Sequence, residues 1–295
     1  MTWLLVIGDV MVDVVVSHEG PVAPGSDTPA RIAMRGGGSG ANTACWLAST
    51  GRGVMLGASL GNDVVGRQAV DDLHAAGLST ALVIHRDRPT GTCVVLVDGT
   101  GERTMFPDRG ANDAPEHSIA DALHDDPDPE VDEPPPSWFH LSGYTLLGEG
   151  SRVVALDAID TARRIGVPTS VDAASTAPLL AVGADVFLGW IDGIDVLFAN
   201  EDEVEALGGP EHVLDHVGAL VTKRGAAGAS WTDGTATHEV PAVPAEVVDT
   251  TGAGDAFAAG YLDAWLAGPD PAAALAAGCA LAAVAVTVVG GRAPR

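Results

Sequence analysis

Short apolar runs recur along this chain at intervals filled by helix-patterned segments, and that alternation constrains its fold more than any other feature. Leu4–Ile7, Gly53–Ala58, Trp138–Leu141, Thr169–Asp172, Val196–Ala199 and Ala219–Thr222 read as strands, and Ala229–Thr232 is a further β-rich piece. Between them, Asn42–Thr50, Val64–Ala76, Ser151–Ile165 and Asp202–Leu207 carry helical patterning. Apolar strands followed by helices predict an α/β fold in three layers, α/β/α, around a largely parallel central sheet. In such sheets ligands sit beyond the carboxyl ends of the strands, as at Gly8-Asp9 after the first run.

Four other β-rich pieces interrupt this rhythm. Val12–Ser17, Ala30–Arg35, Thr92–Asp98 and Arg103–Pro107, the last two flanking the turn Gly99-Thr100-Gly101, predict a small separate sheet. Asp121–Pro136 holds seven acids, five prolines and no base, and predicts a mobile surface loop. No linker divides the chain convincingly, so residues 1–295 read as one domain carrying a small sheet built from about 12–35 and 90–108.

Charge excludes several classes of partner. Against 40 acidic residues stand 15 basic ones, of which Lys223 alone is a lysine, for a formal charge of −25. Polyanions are repelled at long range by such a chain, which argues against nucleic acid and anionic membranes as partners. Ala272–Val289 is eighteen residues without a charge, at the lower limit of a membrane span, but its alanines fit a helix packed inside protein better. Cys45, Cys93 and Cys279 are odd in number and widely spaced, which argues against a disulfide framework or a zinc site and for a reducing cytoplasm. The N-terminus lacks the basic flank of a signal peptide.

The segment with most chemical content is Val248-Asp249-Thr250-Thr251-Gly252-Ala253-Gly254-Asp255-Ala256-Phe257, which opens a long helical pattern. Glycines let the backbone turn tightly and approach a ligand. A helix beginning near Gly254 would leave the amides of Gly252 to Asp255 as donors at its positive end, an anion hole suited to a transferring phosphoryl group. Asp255 would stand beside it, placed to take a proton from an attacking hydroxyl. On these residues alone, a simple helix cap and tight turn explain the pattern equally well.

This segment resembles the C-terminal signature of the ribokinase-like (PfkB) carbohydrate kinase family, and Gly36-Gly37-Gly38-Ser39-Gly40-Ala41-Asn42-Thr43-Ala44 is similar to its N-terminal one. Between them, in the family's order, stand Gly110-Ala111-Asn112, Asn200-Glu201-Asp202-Glu203 and Lys223-Arg224-Gly225-Ala226-Ala227-Gly228. The likeness covers essentially the whole chain. It implies a ribokinase-like fold whose small sheet is a lid, and ATP-dependent phosphoryl transfer to a hydroxyl of a small sugar. Asp255 would be the general base, and Gly252, Ala253 and Gly254 the anion hole. Asp13, Gly38 and Asn42 would hold the acceptor. Asn200 and Glu203 would organise Mg2+ through water, while Lys223, Gly225, Gly228 and Cys279 would line the nucleotide site. Asp249 and Thr251 occupy positions that bind a monovalent cation such as K+ in some relatives. Lids of two subunits pair in many relatives, which implies a homodimer, and the charge-free Ala272–Val289 becomes a buried helix behind the nucleotide.

Departures bear on the acceptor. The ribokinase pattern has Asn where Met11 stands and Lys where Ser39 stands, so two sugar-contacting groups are missing. Met11 is either an apolar wall for a nucleoside base or a core methionine. Arg103 and Arg109 are either phosphosugar contacts or lid arginines without that duty. Asp172, at a strand end, is either a ligand contact or a helix cap. A nucleoside kinase of the same fold and a non-catalytic sensor are the alternatives. Gly36-x-Gly38-x-x-Ala41 formally fits a dinucleotide motif, but no buried apolar strand precedes it, and no P-loop sequence occurs.

Overall fold

Strands with apolar residues on both faces must be sandwiched, and the first run shows how. Leu4, Leu5, Val6 and Ile7 are all fully buried. Leu4 and Val6 point into one apolar cluster, Leu5 and Ile7 into a second on the opposite face. A single sheet thus separates two cores.

In the computed structural model, which describes residues 2–99, 103–123 and 134–294, this sheet has nine strands. They are β1 (Trp3–Ile7), β4 (Gly53–Gly61), β5 (Ser79–His85), β8 (Trp138–Ser142), β9 (Thr169–Asp172), β10 (Val196–Asn200), β11 (Ala219–Lys223), β12 (Ala229–Thr232) and β13 (Thr237–Val240). A separate sheet contains β2 (Met11–His18), β3 (Ala30–Gly37), β6 (Gly91–Val97) and β7 (Arg103–Asp108). The large sheet runs β13-β12-β11-β10-β9-β8-β1-β4-β5. It is parallel from β11 to β5, with β12 and β13 antiparallel at one edge. Helices α1 (Ser39–Ser49), α2 (Val64–Ala75), α3 (Gly143–Leu147), α4 (Arg152–Ile165), α5 (Thr176–Val182), α6 (Ala184–Trp190), α7 (Glu201–Ala206), α8 (Pro210–Leu214), α9 (Ala253–Ala267) and α10 (Pro271–Ala285) fill the connections. The expected three-layer α/β architecture with a small second sheet is therefore present.

The parallel strands all end at one edge. There, Asp9, Asp172, Asn200 and Lys223 stand at or just past the ends of β1, β9, β10 and β11. The small sheet, ordered β3-β2-β6-β7, leaves the same edge immediately after β1. Its β2–β6 pair is parallel and its outer pairs antiparallel.

Several details differ from the sequence expectations. β5 and β13, which the sequence reading did not propose, lie half-exposed at the sheet edges; β13 carries one apolar residue, whereas β5 holds the apolar run Ala81–Ile84. The charge-free stretch ends its helix at Ala285, and Ala273, Ala276, Ala280 and Val284 face outward, so it is a helix with one buried side. Small side chains leave such a face tolerable in water. No helix among the described residues is long and apolar enough to cross a membrane. Residues 124–133, most of the acidic run, lie outside the described residues, as do 100 and 101 of the turn between β6 and β7.

One close approach fixes where α1 enters. A Cβ on Gly40 would stand 2.6 Å from the Gly8 Cα, and one on Gly8 2.8 Å from the Gly40 Cα. The helix start therefore rests backbone to backbone on the end of β1. Gly40→Ala should lower stability by about 1–3 kcal/mol through overpacking, despite the better helix propensity of alanine. An unchanged urea midpoint would show that α1 can retreat at no cost.

Candidate active site

Two helix N-termini meet at Asp255. Gly252, with φ of 74°, turns the chain into α9. A Cβ on Gly252 would run into the backbone of Gly291, so close approach as well as conformation requires glycine there. Asp255 lies in the first turn of α9, and the first turn of α1 supplies its partners. Ser39 Oγ donates to Asp255 Oδ1 at 2.8 Å, and Asn42 Nδ2 donates to Oδ2 at 2.9 Å. Burial pushes the Asp255 carboxyl up to about 6. The Asn42 and Ser39 donors and the Lys223 charge pull the other way, and Asp172 adds to the rise. The carboxylate is thus fixed, partly desolvated and poised near neutrality.

The amides beside it are mostly open. Ala256 N–H bonds to Gly252 O at 2.8 Å, the first regular bond of α9. Gly252, Gly254 and Asp255 N–H make no hydrogen bond among the described residues. Ala253 departs from expectation: its N–H is taken by Thr250 O at 3.3 Å, because residues 250–253 close a turn. The open donors at the start of α9 are therefore those of Gly252, Gly254 and Asp255.

A cation stands against these amides. Lys223 Nζ bonds Asp172 Oδ2 at 2.6 Å, and a Cβ on Gly254 would lie 3.3 Å from it. Burial disfavours the ammonium, but Asp172 and Glu203 outweigh that and hold its pKa above the ordinary value. Asp172 Oδ1 accepts from Ala174 N–H at 3.0 Å, and Ala174 is the only described non-glycine residue at positive φ, 77°. Asn200 and Glu203 form a reciprocal cap of α7: Glu203 N–H donates to Asn200 Oδ1, and Asn200 N–H to Glu203 Oε2, each at 2.8 Å. That cap leaves Glu203 Oε1 without a hydrogen bond among the described residues. Burial raises the Glu203 carboxyl pKa, against the pull of Lys223. No three His, Cys, Asp or Glu side chains converge as a metal cage among the described residues. The donor set thus fits an ion carried mainly by phosphates and water, as expected for Mg2+, rather than one caged by protein.

Asp13 belongs to β2. It is 7% exposed, and its carboxylate makes no hydrogen bond among the described residues. Burial pushes it up to about 6, with Arg292 opposing and Asp249 assisting. Gly38, at φ 90°, lets α1 start against the Asp9 carbonyl. Met11 packs with Cys93 and Val95 in the core of the small sheet, the core alternative. Arg109 is engaged within the protein. Its guanidinium is bidentate on Asp9, at 2.6 and 3.1 Å, and its Nε lies 2.6 Å from Asp113. With those donors engaged it ties the turn at Gly110–Asp113 to the end of β1.

The monovalent-cation expectation at Asp249 and Thr251 also fails to fit. Arg103, from β7, lies with Nη2 2.5 Å from Asp249 Oδ1 and 3.3 Å from Thr250 Oγ1, and its Nη1 donates to Thr251 Oγ1. A bare cation there would face a fixed guanidinium. The short turn Gly225–Ala227 follows β11, and Arg224 N–H bonds Gly228 O at 2.8 Å. A Cβ on Gly228 would meet the Val240 carbonyl. Cys279 lies in the core under α10, close enough to Arg224 to feel its charge. A cavity of about 260 Å³ lined by Ile159, Arg163, Thr169 and Asp195 opens at the opposite end of the sheet, where Asp195 is already bonded to Thr169 N–H.

A family model described as pfkB family carbohydrate kinase matches residues 1–295. The chain belongs to the pfkB family of carbohydrate kinases. An ATP-dependent ribose-1-phosphate kinase of Halopiger xanaduensis is 31% identical over 259 residues, 85% of this chain and 80% of the relative. A fructokinase of Klebsiella pneumoniae is 30% identical over 305 residues, 94% and 89% of the two chains. The solved adenosine kinase of Sinorhizobium meliloti shares the fold with a TM-score of 0.82 at 20% identity, covering 100% of this chain and 96% of its own. As a pfkB member the chain is an ATP-dependent kinase.

For this pfkB kinase, sequence reasoning missed three groups. Ser39 read as the absence of a lysine, yet it holds the Asp255 carboxylate. Asp172 read as either a ligand contact or a helix cap, and its partnership with the one lysine gave no signal. Tyr144, on α3, gave no signal beyond following a strand. Burial and the charges of Asp172, Asp255 and Asp9 push its hydroxyl up to about 12, against a bond with Ser175, which puts it among the three carboxylates.

The sign of the Asp255 shift predicts a stability effect. Its folded value of about 6 exceeds the ordinary 3.8. The native state therefore binds this proton more tightly, and the resulting stabilisation is full below the ordinary value and lost as pH rises through about 6. Urea unfolding of Asp255→Asn between pH 4 and pH 8 should show a weaker loss of stability with rising pH than the wild type. Parallel profiles would contradict the shift.

Proposed function

We propose that this kinase transfers the γ-phosphoryl group of ATP in line to a primary hydroxyl of a small sugar, with Asp255 as the general base. The observation that carries this is the Asp255 carboxylate held by Ser39 and Asn42 at the start of α9, beside the open amides of Gly252, Gly254 and Asp255. The acceptor hydroxyl approaches Asp255 and gives up its proton as its oxygen bonds to phosphorus and the bond to ADP breaks. The open amides receive the charge that builds on the transferring group. Lys223 adds a positive charge at the same point, kept in place by Asp172. Asp13, with no hydrogen bond of its own, accepts from the sugar's other hydroxyls, and Gly38 and Asn42 complete the floor beneath it.

Magnesium, when bound, neutralises charge on the phosphates. Glu203 Oε1 and the Asn200 side chain would hold it through water. Gly225 and Gly228 shape the turn on which the nucleotide lies. The small sheet serves as a lid that keeps water from the phosphoryl group. We assign the enzyme to a reducing cytoplasm, since its three cysteines are odd in number and widely spaced in the sequence.

The lid also supports pairing with a second copy. Val14, Met34, Val94 and Phe106 are cross-strand neighbours, with Val16 and Ile32 beside them. Ile32, Met34 and Phe106 are 68, 54 and 55% exposed, an apolar face of the kind that marks an interaction site. The other face carries Asp13 and the packed Met11, Cys93 and Val95.

Asp255→Asn should lower turnover by roughly 10²- to 10⁴-fold with little change in ATP binding. ADP release with Mg·ATP across pentoses, hexoses, phosphosugars and nucleosides measures it and names the acceptor. Near-normal turnover in the variant would remove Asp255 from the role of base, and turnover of nucleosides alone would replace the sugar. For the wild type, kcat/KM should fall as pH drops through about 6, where Asp255 and Asp13 both take up a proton. A flat profile down to pH 5 would count against both groups. Phe106→Glu should convert a dimer to a monomer in analytical ultracentrifugation, and a wild type already monomeric at micromolar concentration would exclude the pairing.

A further inference from the structure

Arg103 is the lid residue that reaches the catalytic loop. It opens β7, the last strand of the small sheet, and its partners are three consecutive residues, Asp249, Thr250 and Thr251, immediately before Gly252. Among the described residues, every hydrogen bond from the small sheet to this loop comes from that guanidinium. Arg103 and Asp249 side chains are 25 and 16% exposed, so the pair is shielded from water more than an ordinary surface ion pair.

Asp249 joins Arg103 to the site. Its Oδ1 accepts from Thr251 N–H at 2.8 Å as well as from Arg103, and its Oδ2 accepts from Gly290 N–H at 2.9 Å. Gly290 precedes Gly291, whose backbone packs against Gly252 and whose carbonyl accepts from Trp46 Nε1 at 2.9 Å. One carboxylate thus binds the lid, the loop and the C-terminal segment behind the anion hole. An anion in this position needs a counter-charge, and the chain has few cations to offer, 15 against 40 acids. The planar fork of arginine bridges several acceptors at once, which an ammonium does not.

We propose that Arg103 is a positioning residue that does the work of a bound monovalent cation: carried on the lid, it locks the Asp249–Thr251 loop so that closing the lid and ordering the anion-hole amides are one event. This rests on the phosphoryl-transfer reading above. The pfkB kinase should therefore need no added monovalent ion, and its catalytic loop should be most ordered when β7 is docked.

The test compares wild type, Arg103→Met and Arg103→Lys by hydrogen–deuterium exchange without ligands, and by kinetics in KCl, NaCl and choline chloride at equal ionic strength. Exchange in the segment 248–256 should be faster in Arg103→Met than in wild type, with the large sheet unchanged. Its kcat should fall about 10- to 100-fold, the scale of a small misplacement of reacting groups, while KM for ATP moves little. KCl should restore part of the lost kcat, since the vacated Asp249 and Thr251 oxygens can then take a bare ion. Arg103→Lys, which keeps the charge without the fork, should fall between the two. Wild-type turnover that requires K+, or equal exchange of 248–256 in all three proteins, would overturn the proposal. Because exchange is read without substrate, it separates failure of the latch from failure of the kinase mechanism, which Asp255→Asn tests.

Discussion

The carboxylate of Asp255 is where the fold and the chemistry depend on each other. It belongs to α9, but the donors that fix it belong to α1, far away in the chain. Those helices are brought together by the core beneath them, where Phe257 and Tyr261 of α9 lie in one apolar cluster with Ala44, Trp46 and Leu47 of α1. Packing therefore sets the distance between base and donors. Two hydrogen bonds do not fully replace the water lost on burial, and the carboxyl settles near 6 rather than at the usual carboxylate value. A carboxylate at that value is ionised at neutral pH and still able to accept a proton, which suits the role of general base proposed for it.

An acidic chain that handles polyphosphate must solve a charge problem locally. The formal charge of −25 repels a nucleotide at a distance, but screening limits that repulsion to about 8 Å at physiological salt. Within that range the cleft places Lys223 against Gly254 and open amides at the start of α9. Asp172 appears at first to cancel the lysine. It instead keeps the ammonium charged against burial and aims it at one place. Few cations suffice because each is held.

What the sequence revealed follows from how local each feature is. The central strands were legible because burial on both faces leaves an unbroken apolar run, as in Leu4–Ile7. β13 was not, since Thr237–Val240 carries a single apolar side chain, and β5 was passed over although Ala81–Ile84 is such a run. The four lid pieces could be recognised one by one, but the parallel β2–β6 pairing joins segments that no short-range pattern connects. At the site, Gly252 and Gly254 announced a tight turn at a helix start. The partners of Asp255 depend on helix docking, so Ser39 was read only as a missing lysine. Arg109 stayed open between two readings for the same reason: a sequence does not show that its guanidinium lies on Asp9 and Asp113. Asp249 and Thr251 were correctly drawn together, but the cation they meet arrives on β7.

The scarcity of lysine has a practical corollary. Lys223 is the only ε-amine of the chain, and it sits beside Asp172 and Gly254 with 16% of its side chain exposed. Acylating reagents selective for lysine therefore have a single address in this molecule. Bound nucleotide would shade that address, so the extent of labelling, weighed by mass spectrometry, reports occupancy of the cleft for ligands that never turn over.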